Sequence, residues 1–165
     1  MKIPLTGGRY ALIDDSDYPL VAGFKWRLSN PSHGFVYAIA NDGKTLMHRL
    51  IANTPKGMST DHINHDTLDN RRDNLRVCTV GENNRNTGSS VGTSRFKGVC
   101  KFVQRNGRTS WRAYIRSNGS GSMHLGLFSS EVAAALAYNE AATRLHGAFA
   151  KLNEIHGGEP LEKAA

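Results

Sequence analysis

Over the first 46 residues, apolar positions come in short runs separated by Gly, Pro, Asn and Asp. ALID after GGR, FKWRL before NPSHG, and FVYAIA before NDGK read as short strands bounded by turn residues. The NDG at positions 41–43 predicts a hairpin turn. Trp26, Phe35 and Tyr37 are expected in the core, or as cross-strand partners, of the resulting small sheet. The pattern then changes. LMHRLIAN, residues 46–53, carries the three-to-four spacing of a short helix, with Leu46, Met47, Leu50 and Ile51 inward and Pro55 and Gly57 ending it.

Further along, TDHIN and LRVCT read as two more short strands. Thr79 and Glu82 form a T-x-x-E capping box, which predicts a helix starting at Val80. Residues 86–94, NTGSSVGTS, have no periodicity and read as a linker. KGVCKFV, SWRAYIR and MHLGLF are then three strands joined by the turn sequences RNGR and SNGSG. SSEVAAALAYNEAATRLHG follows as a helix, capped by Ser129 or Ser130 and stopped at Gly147. The expected class is α+β: a small N-terminal β segment with a strand-loop-strand-helix unit, then a three-stranded antiparallel sheet packed on one helix. The expected boundaries are 1–85 for the first domain, 86–94 for the linker, 95–153 for the second domain and 154–165 for a flexible tail.

Charge narrows the partners. The 165 residues carry a formal net charge of +7, which favours a polyanion, nucleic acid before an anionic membrane surface. No apolar run approaches the roughly 20 residues that span a bilayer, and MKIPLTGGRY lacks the apolar stretch of a signal peptide. Cys78 and Cys100 form neither a disulfide framework nor a four-thiolate zinc site. A reduced, cytoplasmic setting is therefore expected, that of the host if the chain is phage-encoded.

The candidate chemistry lies between Thr60 and Asn84. Hydrolysis of a phosphodiester needs a base for water and a cation for the charge that develops on the phosphate and the leaving oxygen. Asp61 offers a carboxylate, a hard ligand suited to a magnesium-like ion. His62 offers a base that titrates near working pH. Asn74 and Asn83 follow that His by twelve and twenty-one residues. Asn83 falls in the second turn of the predicted helix, and Asn74 sits where the loop returns, placed to pin it through backbone hydrogen bonds. As strand neighbours, Asp61 and His62 point to opposite faces unless a bulge or the strand end brings them together. His62 and His65 also form H-x-x-H, a possible zinc pair with Asp61, but no further soft ligands cluster nearby.

These residues resemble the HNH endonucleases and their ββα-metal fold, the phage and intron-encoded homing enzymes in particular. The resemblance implies that Asp61 and Asn83 bind one divalent cation, magnesium or manganese rather than zinc. It also implies that His62 is the general base and that Asn74 fixes the loop. MHRL, with His48 and Arg49, resembles the family's pattern upstream of the site and suggests phosphate contacts, as does the Arg71-Arg72 pair in the loop. His65 departs from the family, which often has Gly there.

The second half is basic in a different way. From Thr93 to Ser130 there are seven Lys or Arg and no Asp or Glu. In SWRAYIR, alternation puts Trp111, Ala113 and Ile115 on one face and Arg112, Tyr114 and Arg116 on the other. The stretch resembles the Apetala-two, or ethylene-response-factor, DNA-binding domain, in which the sheet docks in the major groove. Carried over by position, Lys97, Tyr114, Arg116 and His124 face DNA; Lys101 and Arg112 are expected phosphate contacts on charge alone. Cys100 and His124 stand where that family commonly has Arg and Trp, so its base preference does not transfer.

The combined expectation is a metal-dependent endonuclease acting on double-stranded DNA, a site-preferring nicking or homing enzyme targeted by its C-terminal sheet. It uses no small-molecule cofactor and works as a monomer or weak dimer. The alternative is a sequence-specific DNA-binding regulator with an inactive nuclease remnant.

Overall fold

The computed structural model describes residues 1–29, 35–86, 92–117 and 121–155. Most of the expected linker (87–91), the middle of the SNGSG turn (118–120) and the tail beyond 155 lie outside the described residues. The class is α+β, and the chain divides into two compact units, Met1–Asn84 and Arg85–Ala165. Among the described residues no helix is long and apolar enough to cross a membrane.

In the first unit, β1 (Lys2–Pro4) pairs antiparallel with β2 (Tyr10–Leu12), and β3 (Trp26–Leu28) with β4 (Ala38–Ala40). The N-terminal segment thus makes two separate ladders, not the one small sheet expected. Between them the chain turns through α1 (Tyr18–Val21), where Pro19 sits in the first turn and displaces no helical hydrogen bond. Trp26 is buried and donates its indole N–H to the Val21 carbonyl at 3.0 Å. Phe35, expected in the core or as a cross-strand partner, is 42% exposed. The turn at 41–43 does form: Gly43 has φ 71 and donates to the Ala40 carbonyl.

Next comes α2 (Met47–Ile51), with Met47 and Ile51 one turn apart and fully buried against Ala11, Ile13, Val21 and Trp26. It is shorter than expected because Asn53 takes a left-handed φ of 45, which Asn tolerates better than most residues. β5 (Ser59–His62) then pairs antiparallel with β6 (Leu75–Cys78), and α3 (Val80–Arg85) follows. Its capping box is complete: Thr79 Oγ1 accepts the Glu82 N–H at 3.2 Å while Glu82 Oε2 accepts the Thr79 N–H at 2.8 Å.

In the second unit β7 (Val99–Val103), β8 (Thr109–Ser117) and β9 (Gly121–Phe128) form an antiparallel sheet in that order. One face packs on α4 (Glu131–His146). Ser130 caps that helix by accepting the Ala133 N–H at 3.1 Å, and Gly147 ends it with φ 52. Ala133, Ala134, Ala141 and Ala142 are buried, and their small side chains let helix and sheet approach closely. A shift in register between Ala113/Gly126 and Tyr114/His124 leaves Leu125 unpaired as a bulge in β9.

Candidate active site

The β5–β6 hairpin sets the first geometry. Its register places Asp61 directly opposite Arg76 and His62 opposite Leu75, without a bulge. Neighbouring strand residues point apart, yet both are interior: Asp61 is 6% exposed and His62, the last residue of β5, 4%. Arg76 donates to Asp61 Oδ2 from Nε at 2.8 Å and from Nη2 at 2.6 Å. Sequence reading missed Arg76 because only the register reveals which residue lies across from Asp61.

The loop from 63 to 74 is braced by short polar side chains. Asn74 Oδ1 accepts the Asn64 N–H at 2.9 Å, and Asn74 Nδ2 donates to the Asp69 carbonyl at 2.7 Å. One amide therefore ties both sides of the loop. Asp66 and Asn64 close smaller turns on the N–H groups of Leu68 and Asp66. His65, where the resembling family has Gly, stands at φ 65 in the left-handed region.

The loop is also docked on the N-terminal strand. The Leu12 N–H donates to the Leu68 carbonyl and the Asn70 N–H to the Leu12 carbonyl, both at 2.8 Å. Arg71 pairs with the Asp69 carboxylate through Nε and Nη2, and these bonds hold the Asp69 carboxyl below the usual range. Arg72 pairs with Asp17 in the same way and donates its backbone N–H to Asp14 Oδ2. Both guanidinium groups, expected at phosphates, are here held on carboxylates, Arg71 within the loop on Asp69 and Arg72 across to Asp17 of the scaffold.

Asn70, also missed from the sequence, is where this docking reaches His62. It is fully buried, and its Oδ1 lies 3.1 Å from His62 Nε2. Asn70 Nδ2 faces the Leu68 carbonyl at 3.3 Å and Met47 Sδ at 3.5 Å. With the amide oriented by those contacts, Asn70 presents its oxygen to the His62 ring as an acceptor. The His62 ring packs edge-on against His48 at 5.0 Å between centroids, and Tyr37 lies 5.2 Å from His48 and 6.2 Å from His62. Tyr37, expected as a sheet residue, is thus a wall of this cluster. Burial pushes His62 below its ordinary pKa, opposed by the Asn70 bond and by Asp61, Asp66 and Asp69. Burial drives His48 further, to about 3, helped by the charges of His62 and Arg49. His48 is 5% exposed and its buried Nδ1 has no hydrogen-bond partner among the described residues. The phosphate contact expected of it is at odds with that burial. Arg49, expected there too, donates to the Met58 carbonyl at 2.8 Å and holds the turn before β5.

Asn83, half-buried, enters from α3. Cys78 connects it to the hairpin: the buried thiol meets the Asn83 backbone N–H and senses the Asp61 charge, and burial above all raises its pKa.

In the second unit the register sorts the basic residues by face. Val99, Ala113 and Gly126 form one cross-strand row on the helix side. Arg112 pairs with Cys100 and Leu127, Tyr114 with His124, and Arg116 with Ser122, on the open face. The Arg112 guanidinium lies 4.2 Å from the centre of the Phe102 ring. Lys101, expected at a phosphate on charge alone, pairs with Trp111, whose ring packs toward the helix, and so lies on the other face from Arg112. Lys97 precedes β7 and turns its ammonium to the Arg85 carbonyl; burial lowers its pKa to about 8. That position too is off the open face, and the expected DNA contact does not match it.

Asp61 and Asn83 carry ligand types that hard cations take. Asp61 and Asn83 offer a carboxylate and an amide oxygen, and the enclosed Asp61 carboxylate already has a cationic group, Arg76, against it. Among the described residues no group of three or more His, Cys, Asp and Glu is placed to hold an ion.

Comparison with known proteins converges on the same segment. A family model described as HNH endonuclease matches residues 46–85, from the start of α2 through α3. A protein of Acanthamoeba polyphaga mimivirus, named as an uncharacterized HNH endonuclease, is 31% identical over 154 residues, covering 90% of this chain and 76% of the relative. No solved structure gives a significant match. With similarity running through both units and the family model falling on the strand-loop-strand-helix segment, the chain belongs to the HNH endonucleases, enzymes that hydrolyse DNA and generally use a divalent metal ion.

Proposed function

We propose that the chain is a metal-dependent endonuclease that nicks double-stranded DNA, with its chemistry on the β5–β6–α3 segment and its grip on DNA from the open face of the second unit. The observation that carries the reading is the held imidazole: His62 Nε2 lies 3.1 Å from Asn70 Oδ1, and with the hydrogen on Nε2 it is Nδ1 that accepts a proton. Burial keeps that ring neutral and ready as a base. His62 removes the proton of a water aligned with the scissile bond. Asn74 keeps the loop from shifting while it does so. Asp61 and Asn83 are the ligands that would hold the ion. When bound, magnesium or manganese supplies Lewis-acid stabilisation of the phosphate and of the leaving 3′ oxygen.

Arg112, Tyr114, Arg116 and His124 are the DNA-facing residues of the second unit, in keeping with the resemblance to the Apetala-two domain. Arg112 is held over Phe102, which limits the rotamer freedom it loses on binding. A unit that holds DNA raises the effective concentration of substrate for the other unit joined to it. One site per chain cuts one strand, so a monomer nicks and two chains together break both.

The test is a supercoiled plasmid incubated with the full chain and magnesium or manganese, with and without chelator. Nicked circles that disappear with chelator are expected. His62→Ala should abolish cutting and leave gel-shift affinity near that of the unaltered chain. Intact plasmid in both metals, despite tight DNA binding, overturns the reading in favour of a regulator.

A further inference from the structure

Three Arg–carboxylate pairs of the first unit differ in setting. Arg71 and Arg72 reach their partners with guanidinium-bearing side chains 53% and 54% exposed. Arg76 is enclosed: its side chain is 17% exposed and that of Asp61 is 7%. Both of the Arg76 N–H groups named above converge on one oxygen, Asp61 Oδ2. The pairing is written into the strand register, since Arg76 is the residue directly across from Asp61 on the same face of the hairpin. A carboxylate removed from water requires a counter-cation, and Arg cannot relieve the demand by losing its proton.

The carboxylate concerned is the one assigned to the divalent ion. A guanidinium and a metal ion draw on the same lone pairs, and their like charges repel at contact distance. We propose that Arg76 is an intramolecular competitor for the divalent cation at Asp61, holding the carboxylate in the ion-free enzyme and weakening the ion's affinity by the work of yielding Oδ2. The inference rests on Asp61 being an ion ligand. The tether also keeps the buried carboxylate compensated before the ion arrives, so the hairpin does not depend on metal to fold. The enclosed geometry sets Arg76 apart from the two loop braces, which lie on carboxylates given no ion.

The test is manganese binding to the full chain without DNA, read from the electron-paramagnetic-resonance signal of free Mn2+. Three variants are titrated beside the unaltered chain: Asp61→Asn, Arg76→Gln and Arg76→Lys. Asp61→Asn is expected to lose the site. Arg76→Gln is expected to bind Mn2+ tighter by about one to three powers of ten, the range by which one neighbouring charge alters a carboxylate's affinity for another cation. Its thermal midpoint in chelator should fall and be restored by Mn2+ more than that of the unaltered chain. Arg76→Lys keeps the charge but loses the two-pronged hold, so it should fall between; it decides the matter if Arg76→Gln does not fold. Mn2+ binding by Asp61→Asn equal to that of the unaltered chain overturns the site assignment itself. Loss in Asp61→Asn with unchanged or weaker binding in the Arg76 variants, or no measurable binding by either of them, overturns the competition.

Discussion

His65 pays a conformational cost that its neighbours do not. At φ 65 an L side chain is strained, and only Gly occupies that region freely. His65→Gly should therefore raise unfolding free energy by about 0.5 to 1 kcal/mol, the strain relieved less the entropy that Gly adds to the unfolded chain. Urea unfolding of the two proteins checks it, and a less stable Gly variant would mean that the imidazole contributes more than the strain removes. His48 makes a pH prediction. Its pKa falls from an ordinary 6.5 to about 3 in the fold. Between those values the unfolded chain binds the extra proton, so stability drops as pH falls from 6.5 toward 3, by up to about 1.4 kcal/mol per unit. His48→Phe removes that proton site while keeping an aromatic ring. Its stability should fall less than the unaltered chain's between pH 7 and pH 5, by about 2 kcal/mol in urea melts; parallel curves would refute a buried neutral His48. The residues easiest to pick out in the sequence were those whose chemistry is unusual wherever they sit: Asp61, His62 and Asn74. Asn70 and Arg76 were not legible, because one is an ordinary loop amide until it is buried and the other an ordinary strand Arg until the register gives it a partner.

Among the elements, the closest approach in the second unit is at Gly98. A Cβ there would lie 2.1 Å from a Tyr138 ring carbon and 2.5 Å from the Tyr114 carbonyl, on a backbone with φ 72. Gly98→Ala should cost roughly 2 to 4 kcal/mol, combining overpacking with left-handed strain. Thermal unfolding measures it, and a change under about 1 kcal/mol would show that strand and helix slide apart easily. Helix starts were the most legible features of this scale. The Thr79–Glu82 box and the Ser130 cap are local hydrogen bonds, formed by residues three apart whatever surrounds them. The N-terminal strands were located but their pairing was not. Phe35 and Tyr37 belonged to an apolar run that resembled an inward-facing strand, yet among the described residues β3 pairs with Ala38–Ala40, Phe35 is exposed and Tyr37 packs against the two histidines. Three-residue strands carry too little alternation to declare which face is covered.

For the whole molecule, the proposed division of labour predicts a salt signature. If Arg112 and Arg116 each neutralise a phosphate, replacing both with Ala should flatten the slope of log affinity against log salt by about 2. Filter binding between low and physiological salt reads the slope directly, and an unchanged slope would remove those residues from the interface. The sheet face illustrates how far a pattern reaches. Alternation along SWRAYIR separated Arg112, Tyr114 and Arg116 from Trp111, Ala113 and Ile115, and burial follows that division: Ala113 and Ile115 are buried while Tyr114 and Arg116 are exposed. Lys101 was grouped by charge, and charge says nothing about facing; its pairing with Trp111 does. By itself, the sequence determined the α+β class, the helix caps, the strand-loop-strand-helix order and the presence of a carboxylate, an imidazole and two amides at nuclease-like spacing. Those follow from local propensity and covalent order, which any segment carries with it. Only the tertiary structure decided that Asn70 orients His62, that Arg76 lies on Asp61 and that His48 is shut away from solvent. Each of these joins residues distant along the chain through burial or strand register, and neither exists until the chain has folded.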